Sequence, residues 1–140
     1  MAKCKKYYTD IPYLELAGYK KKSFILPYSG GEIFCEHLDG IYQYENAVIE
    51  KIEKDSLIFL IPKSPSRLII NLDETEVSDK IVEKIISLLN VKFDKFVKVA
   101  FVGVNKKWIS YIRNFINERE HNYIFKFFSD YEKSKEWVIA

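Results

Sequence analysis

Apolar residues along the chain follow two alternating patterns. Short runs rich in β-branched and aromatic residues are typical of strands, and longer segments with apolar residues three or four positions apart are typical of amphipathic helices. The predicted strands are residues 23–28, 32–38, 67–72, 97–104 and 123–128. The predicted helices are residues 44–61, 78–90, 105–118 and about 130–138.

The order of these segments predicts the fold class. Glycines at 30 and 31 permit a tight hairpin between the first two strands. After the next helix, strand and helix alternate three times, which favours right-handed crossovers and parallel pairing. We therefore predict an α/β fold with a mixed, mostly parallel central sheet, an N-terminal β-hairpin and about four helices.

One segment fits two structures. Residues 44–61 begin with helical spacing, but their end, L-I-F-L-I, would also suit a strand. Because Pro62 and Pro65 interrupt regular structure, we favour one helix that ends before Pro62.

Two serines are candidate helix N-caps. Ser78 precedes the helix at 78–90, where its hydroxyl can accept a hydrogen bond from a first-turn N–H. Ser129 and Glu132 have the spacing of a capping box for the last helix.

A chain of 140 residues is the usual length of one domain. We assign residues 22–140 to a single α/β domain and residues 1–21 to a basic, aromatic extension, with residues 13–19 as an added strand in one interpretation. The net charge of +2 conceals a lysine excess in residues 1–30. Such an arm could contact an anionic partner, but solvated lysines are the commoner case, and nucleic-acid binding is not favoured.

The N-terminal residues, the apolar runs, the cysteines and the histidines limit the expected location and cofactors. The N-terminus lacks the apolar core of a signal peptide, and no apolar run is long enough to span a membrane. Cys4 and Cys35 are far apart, as are His37 and His121, and none of them has metal-ligand spacing. We expect a cytoplasmic protein with reduced thiols, no membrane span and no cofactor.

Several pieces in this order resemble the STAS domain family, which includes the bacterial anti-sigma-factor antagonists. They are the turn Leu38-Asp39-Gly40-Ile41 into a helix, the strand 68–73, the strand 99–104 containing Gly103, and the closing strand and helix. The resemblance covers about residues 22–139, with Gly40 and Asp73 as its best anchors. It is nearest to the divergent branch related in fold to the CRAL-TRIO lipid-transfer domains.

In the antagonists, a serine is phosphorylated at the start of the helix that follows the strand matching residues 68–73. Ser78 is the nearest candidate here, but its order with Asp79 is reversed, the family's glycine is absent and Lys80 is near the expected serine position. We favour an ordinary N-cap at Ser78 over a phosphorylation site.

An enzyme is not expected. Cys35 and His37 share a strand face, but no third group is identified to orient them, so we predict a core thiol and a partly exposed imidazole. Glycine-rich phosphate loops and hydrolase or metalloprotease motifs are absent from the sequence.

The candidate binding surface is the carboxyl edge of the sheet, where open parallel sheets bind ligands. It is predicted to carry Asp73, Glu74, Thr75, Ser78, Asp79, Lys80, Asn105, Lys106 and Lys107. The resemblance implies a regulatory module that binds a protein partner. The alternative is a small ligand, either apolar and lipid-like in an aromatic pocket or anionic at residues 105–107. A cavity lined by Phe and Tyr would favour the ligand, whereas a filled core with an exposed patch would favour the partner.

Overall fold

A computed structural model describes residues 16–28, 30–91 and 95–140 of the chain. The elements in chain order are α1 (Ala17–Lys20), β1 (Phe24–Tyr28), β2 (Gly31–His37), α2 (Glu45–Ile58), β3 (Ser66–Asn71), α3 (Asp79–Val91), β4 (Phe96–Val102), α4 (Lys106–Asn117), β5 (Ile124–Phe128) and α5 (Tyr131–Ile139).

The strands form one sheet in the order β1-β2-β3-β4-β5. β1 and β2 are an antiparallel hairpin in which Phe24 is opposite Cys35. The other three pairs are parallel, so that Ile69 of β3 lies between Cys35 and Ala100. The predicted fold class, an α/β fold with a hairpin and a mostly parallel sheet, is confirmed.

Helices cover both faces of the sheet. Successive crossovers of one hand between neighbouring strands place their helices on the same face, and α2, α3 and α4 share one apolar core. That core includes Phe34, Ile52, Leu68, Ile70, Ile81, Ile86, Val99, Phe101, Ile112 and Ile116. On the other face, α5 buries Val138 against Ile33, Cys35, Ile69, Ala100 and Val102. β4 is therefore covered on both faces.

The ambiguous segment is helical, as favoured. α2 ends at Ile58, and the Asp55 carbonyl accepts hydrogen bonds from the N–H groups of Phe59 (2.8 Å) and Leu60 (2.7 Å). Near the start of the chain, Ala17–Lys20 forms one helical turn where the added strand was one interpretation. The described residues do not include 13–15 of that predicted strand or the basic residues Lys3, Lys5 and Lys6.

One of the two predicted caps is confirmed. The Ser78 hydroxyl accepts from the Ile81 N–H (3.3 Å), and its carbonyl accepts from the Val82 N–H (3.0 Å). The Ser129 cap is wrong, because the N-cap of α5 is the next residue, Asp130, whose Oδ1 accepts from the Glu132 N–H (2.8 Å). A carboxylate makes a stronger, charge-assisted acceptor at a helix N-terminus than a hydroxyl does.

Both edges of the sheet are open in the described part of the chain, and each carries a residue that disfavours further strand pairing. β1 contains Pro27, which lacks an N–H donor. β5 exposes Lys126 beside Ile124. Within the described ranges, no helix combines the length and apolar character needed to cross a membrane.

Gly103, in the loop that follows β4, lies against Asp73 in the loop that follows β3. Its φ is +81°, and a Cβ atom there would lie 2.5 Å from the Asp73 Cα. We expect Gly103→Ala to lower the free energy of unfolding by about 2–3 kcal/mol, through left-handed strain and this backbone clash, as measured by urea denaturation.

Gly30→Ala is the control, since its Cβ would meet only the side chain of Tyr28. It should cost less than Gly103→Ala. Equal losses would show that the approach to Asp73 does not constrain the fold.

Candidate functional site

The loops that follow β2 and β3 lie side by side and are joined by backbone hydrogen bonds. The Gly40 N–H donates to the Asp73 carbonyl (2.8 Å), and the Tyr42 N–H donates to the Glu74 carbonyl (3.0 Å). The Glu76 N–H returns a bond to the Tyr42 carbonyl (2.8 Å). These bonds continue the pairing of the two strands beyond the sheet, so both loops form one surface at its carboxyl edge.

Thr75 holds this surface from below. Its hydroxyl donates to the Leu38 carbonyl (2.5 Å) and accepts from the Ile41 N–H (3.1 Å). Thr75 is buried, and its place on the binding surface stays a prediction. A hydroxyl can satisfy one acceptor and one donor at once, and here it does so for two buried backbone groups.

Tyr42 and Glu74 project outward from strained backbone. Both have left-handed conformations, with φ of 54° and 55°, which costs a non-glycine residue of order 1 kcal/mol. The hydrogen bond between them maintains that conformation, and the Tyr42 side chain remains 48% exposed. Sequence analysis missed Tyr42, and the only available signal was its place two residues after Gly40.

Two carboxylates lie beside Tyr42, those of Glu74 and Glu76. Asp73 and Asp79 are exposed nearby in sequence, and Lys80 is the one base between residues 73 and 80. A shallow depression of about 470 Å³ is lined by Tyr42, Gln43, Glu74, Thr75 and Glu76. We call Tyr42, Asp73, Glu74, Glu76, Asp79 and Lys80 the Tyr42 surface.

Ser78 connects the starts of two helices. Besides capping α3, its hydroxyl donates to the carboxylate of Glu45, the first residue of α2. A phosphate on Ser78 would meet that carboxylate, and repulsion between like charges disfavours such a pair.

Asn105, Lys106 and Lys107 form a separate feature. All three are exposed, and the Asn105 Oδ1 caps α4 by accepting from the Trp108 N–H (3.2 Å). The Lys107 Nζ lies 5.6 Å from the centre of the Trp108 ring. Among residues that the structure describes, no hydrogen bond or ion pair joins these lysines to the Tyr42 surface.

Cys35 and His37 are both buried beneath α5. His37 is only 3% exposed and stacks on Phe24 at 5.3 Å, so the prediction of a partly exposed imidazole is wrong. The expected lack of an orienting group is also wrong, since Asp39 Oδ1 lies 2.8 Å from His37 Nδ1. The H-x-D spacing was the missed signal.

This arrangement does not activate the thiol. Burial raises the pKa of Cys35, and no hydrogen bond between Cys35 and His37 occurs in the described ranges. Nucleophilic catalysis needs a thiolate within reach of its base.

Asp39 accepts hydrogen bonds from two basic side chains, His37 and Lys21. Burial alone would raise the pKa of Asp39, but hydrogen bonds from His37 (2.8 Å) and Lys21 (3.0 Å) lower it to about 2. Asp39 therefore connects β2 to the segment that precedes β1.

A second buried polar group lies on the opposite face of β2. The Ser23 hydroxyl is 2.5 Å from Glu36 Oε1 and 3.1 Å from Asp55 Oδ2. Burial and the neighbouring Asp55 raise the pKa of Glu36 well above its ordinary value. The Lys51 ammonium group donates to the His37 carbonyl and so ties α2 to β2.

The internal space beside Glu36 is small. A cavity of about 20 Å³ lies between Glu36 and the aliphatic side chains of Leu38, Ile52, Leu60, Leu68, Ile70, Ile85, Leu88 and Leu89. That volume suits about one water molecule. Among the described residues, no group of three or more His, Cys, Asp or Glu side chains could hold a metal ion.

Comparisons with known proteins identify the fold. Neither a scan against protein-family models nor a search of curated proteins gave a match. A solved structure from Shewanella loihica PV-4, at 2.25 Å resolution, is similar with a TM-score of 0.50 and 19% identity. It is an uncharacterised protein of the DUF3478 family with a SpoIIAA-like fold, and the match covers 84% of this chain and 92% of that one.

The chain thus has the SpoIIAA-like, that is STAS-like, α/β fold that the resemblance predicted. At this identity the likeness establishes the fold alone. The relation to CRAL-TRIO domains stays a prediction.

The contact between Ser78 and Glu45 can be tested by a double-mutant cycle. Ser78→Ala should cost about 1 kcal/mol through loss of the cap. Ser78→Asp keeps a cap acceptor but places its carboxylate against that of Glu45. Combining it with Glu45→Gln should therefore restore stability, as measured by urea denaturation. If Ser78→Asp has the same unfolding free energy alone and combined with Glu45→Gln, the repulsion that disfavours a phosphate is absent.

Protonation of Asp39 should account for much of the fall in unfolding free energy between about pH 4 and pH 2. Because its folded pKa lies below the ordinary 3.8, its contacts stabilise the fold above about pH 4 and are lost as the pH falls through about 2. We expect the acid-induced fall in unfolding free energy to be smaller by about 2 kcal/mol in Asp39→Asn. Chemical denaturation across this pH range checks it, with the exposed Asp73→Asn as control. A variant with the acid profile of the wild type would contradict the assignment.

Proposed function

We propose that this chain is a non-catalytic, cytoplasmic, STAS-like module that regulates a protein partner by binding it through the Tyr42 surface. The observation that carries the proposal is Tyr42 itself, an exposed aromatic residue held in a strained conformation at the carboxyl edge of the sheet. Strained backbone clusters at functional positions, and tyrosine is among the residues enriched in interface hot spots.

The shape and charge of this surface favour a protein partner. The depression beside Tyr42 is shallow, with the carboxylates of Glu74 and Glu76 in its lining, and the same segment exposes Asp73 and Asp79. Such a rim complements a basic surface, where charge chiefly accelerates association and selects the partner. We therefore expect the partner to present lysine or arginine side chains around an apolar recess for the Tyr42 ring.

The filled core supports a partner over an apolar ligand. The cavity beside Glu36 holds roughly one water molecule, whereas ligand pockets for drug-sized molecules measure about 300–1,000 Å³. For an anionic ligand at residues 105–107, the support is limited to a helix cap and two exposed lysines. The buried, unactivated Cys35 supports a module without catalysis.

The test separates the aromatic and the charged parts of the surface. Tyr42→Asn removes the ring with a residue that tolerates left-handed backbone, and Glu76→Lys reverses one rim charge. We expect the wild type to retain a partner from host extract, Tyr42→Asn to lose it, and Glu76→Lys to weaken it. Calorimetry on the purified pair should give a 1:1 complex, with a loss of about tenfold or more for Tyr42→Asn.

Glu120→Lys is the matched charge control, since it reverses an exposed carboxylate outside this surface. It should bind as the wild type does. Native mass spectrometry of protein purified from its host supplies the opposing outcome. A small molecule that is retained, and released on denaturation, would replace the interaction module by a ligand-binding one.

A further inference from the structure

The C-terminal end of α2 exposes aliphatic side chains. Leu57 is 68% exposed, Ile58 81% and Ile61 52%, all within five residues. Leu57 and Ile58 follow Lys54 by three and four positions, so both lie on the same side of the helix as Lys54. We call Leu57, Ile58 and Ile61 the apolar tip.

Lysines flank the apolar tip on two sides. A groove of about 430 Å³ includes Ile58 and Phe59 in its lining, together with Asp55 and the lysines Lys20, Lys21, Lys22, Lys51 and Lys54. On the other side, the Lys95 ammonium group donates to the carbonyl of Lys63 (3.0 Å), two residues after Ile61. The aliphatic side chains are thus bordered by positive charge.

The acidic residues nearby are engaged with other groups. Glu50 accepts from the Tyr19 hydroxyl, and Glu53 pairs with Lys84 at 2.9 Å. Asp55 is only partly exposed and contacts Ser23 in the polar cluster with Glu36. Lys21 is likewise paired with Asp39, so Lys22 and Lys54 are among the lysines that still supply positive charge beside the apolar tip.

We propose that the apolar tip and its lysines form a docking surface for a bilayer that contains anionic lipids. The aliphatic side chains enter the boundary between headgroups and acyl chains, while the lysines contact lipid phosphates. Long lysine side chains suit this arrangement because their stems lie along apolar surface and their charges reach the headgroups. The membrane is bound peripherally.

The composition of this surface favours lipid over a macromolecule. Protein interfaces are depleted in lysine and rely on aromatic and arginine side chains, and single-stranded nucleic acids need aromatic stacking platforms. The exposed apolar side chains of the tip are aliphatic, and the aromatic residues of the adjoining groove, Tyr19 and Phe59, are only partly exposed. The apolar tip also lies at the end of α2 remote from Glu45, about 20 Å along a helix of 14 residues, so this inference does not depend on the Tyr42 surface.

The test is co-sedimentation of the full chain with phosphatidylcholine vesicles, with and without phosphatidylglycerol. We expect binding only to vesicles that contain phosphatidylglycerol, and release as the salt concentration rises. Leu57→Ser combined with Ile58→Ser should abolish binding. Lys22→Gln combined with Lys54→Gln should weaken it about fivefold for each lysine removed.

Matched controls lie elsewhere on the molecule. Ile124→Ser removes an aliphatic residue that is 58% exposed on β5, and Lys106→Gln with Lys107→Gln removes two exposed lysines. Both should bind vesicles as the wild type does. Thermal unfolding should show that all variants are folded, since exposed substitutions typically change stability by about 0.5 kcal/mol or less.

Three results would overturn the proposal. The wild type could fail to bind phosphatidylglycerol vesicles, or the controls could lose as much binding as the variants of the apolar tip. The third is a dimer in sedimentation equilibrium that becomes monomeric in the Leu57 and Ile58 variant, which would assign the apolar tip to a second copy of the chain.

Discussion

Both faces of a parallel sheet have to be covered, and the crossover helices of this chain cover only one of them. Because the strands follow one another in sequence order, α2, α3 and α4 all pack on the same side. The opposite face depends on α5, which buries Val138 against β2, β3 and β4. The final helix is therefore part of the core, and its removal would leave Ile69 and Ala100 in water.

This layered arrangement also decides where a binding surface can form. Parallel strands bring the loops after β2 and β3 to one edge, and Thr75 joins them through its hydroxyl. The strain at Tyr42 and Glu74 is sustained because backbone hydrogen bonds hold both loops. α2 begins beside this surface, where Glu45 meets Ser78, and ends at the apolar tip. A chain docked through the apolar tip would keep Tyr42 about 20 Å along the helix from the bilayer, within reach of a partner from solution.

Features set by local pattern could be predicted from the sequence, and features set by packing could not. Strand and helix positions follow the spacing of apolar residues, so the hairpin, the crossovers and the Ser78 cap agree with the structure. The error at Ser129 arose because an adjacent carboxylate, Asp130, competes better for the same N–H groups. Thr75 is buried where its hydroxyl bonds to Leu38, which is distant in sequence. His37 is buried against Phe24, which belongs to another strand. Tyr42 was missed because its exposure results from a hydrogen bond to a loop more than thirty residues away.

Both edges of the sheet are open within the residues that the structure describes, and this matters at high protein concentration. An unpaired strand is a template on which another chain can add, and repeated addition leads to fibrils. Pro27 withholds a donor from one edge, and Lys126 places on the other a charge that an incoming strand would have to desolvate. Both residues disfavour the addition of a further strand. The two edge strands, where aggregation would begin, therefore carry the residues that oppose it.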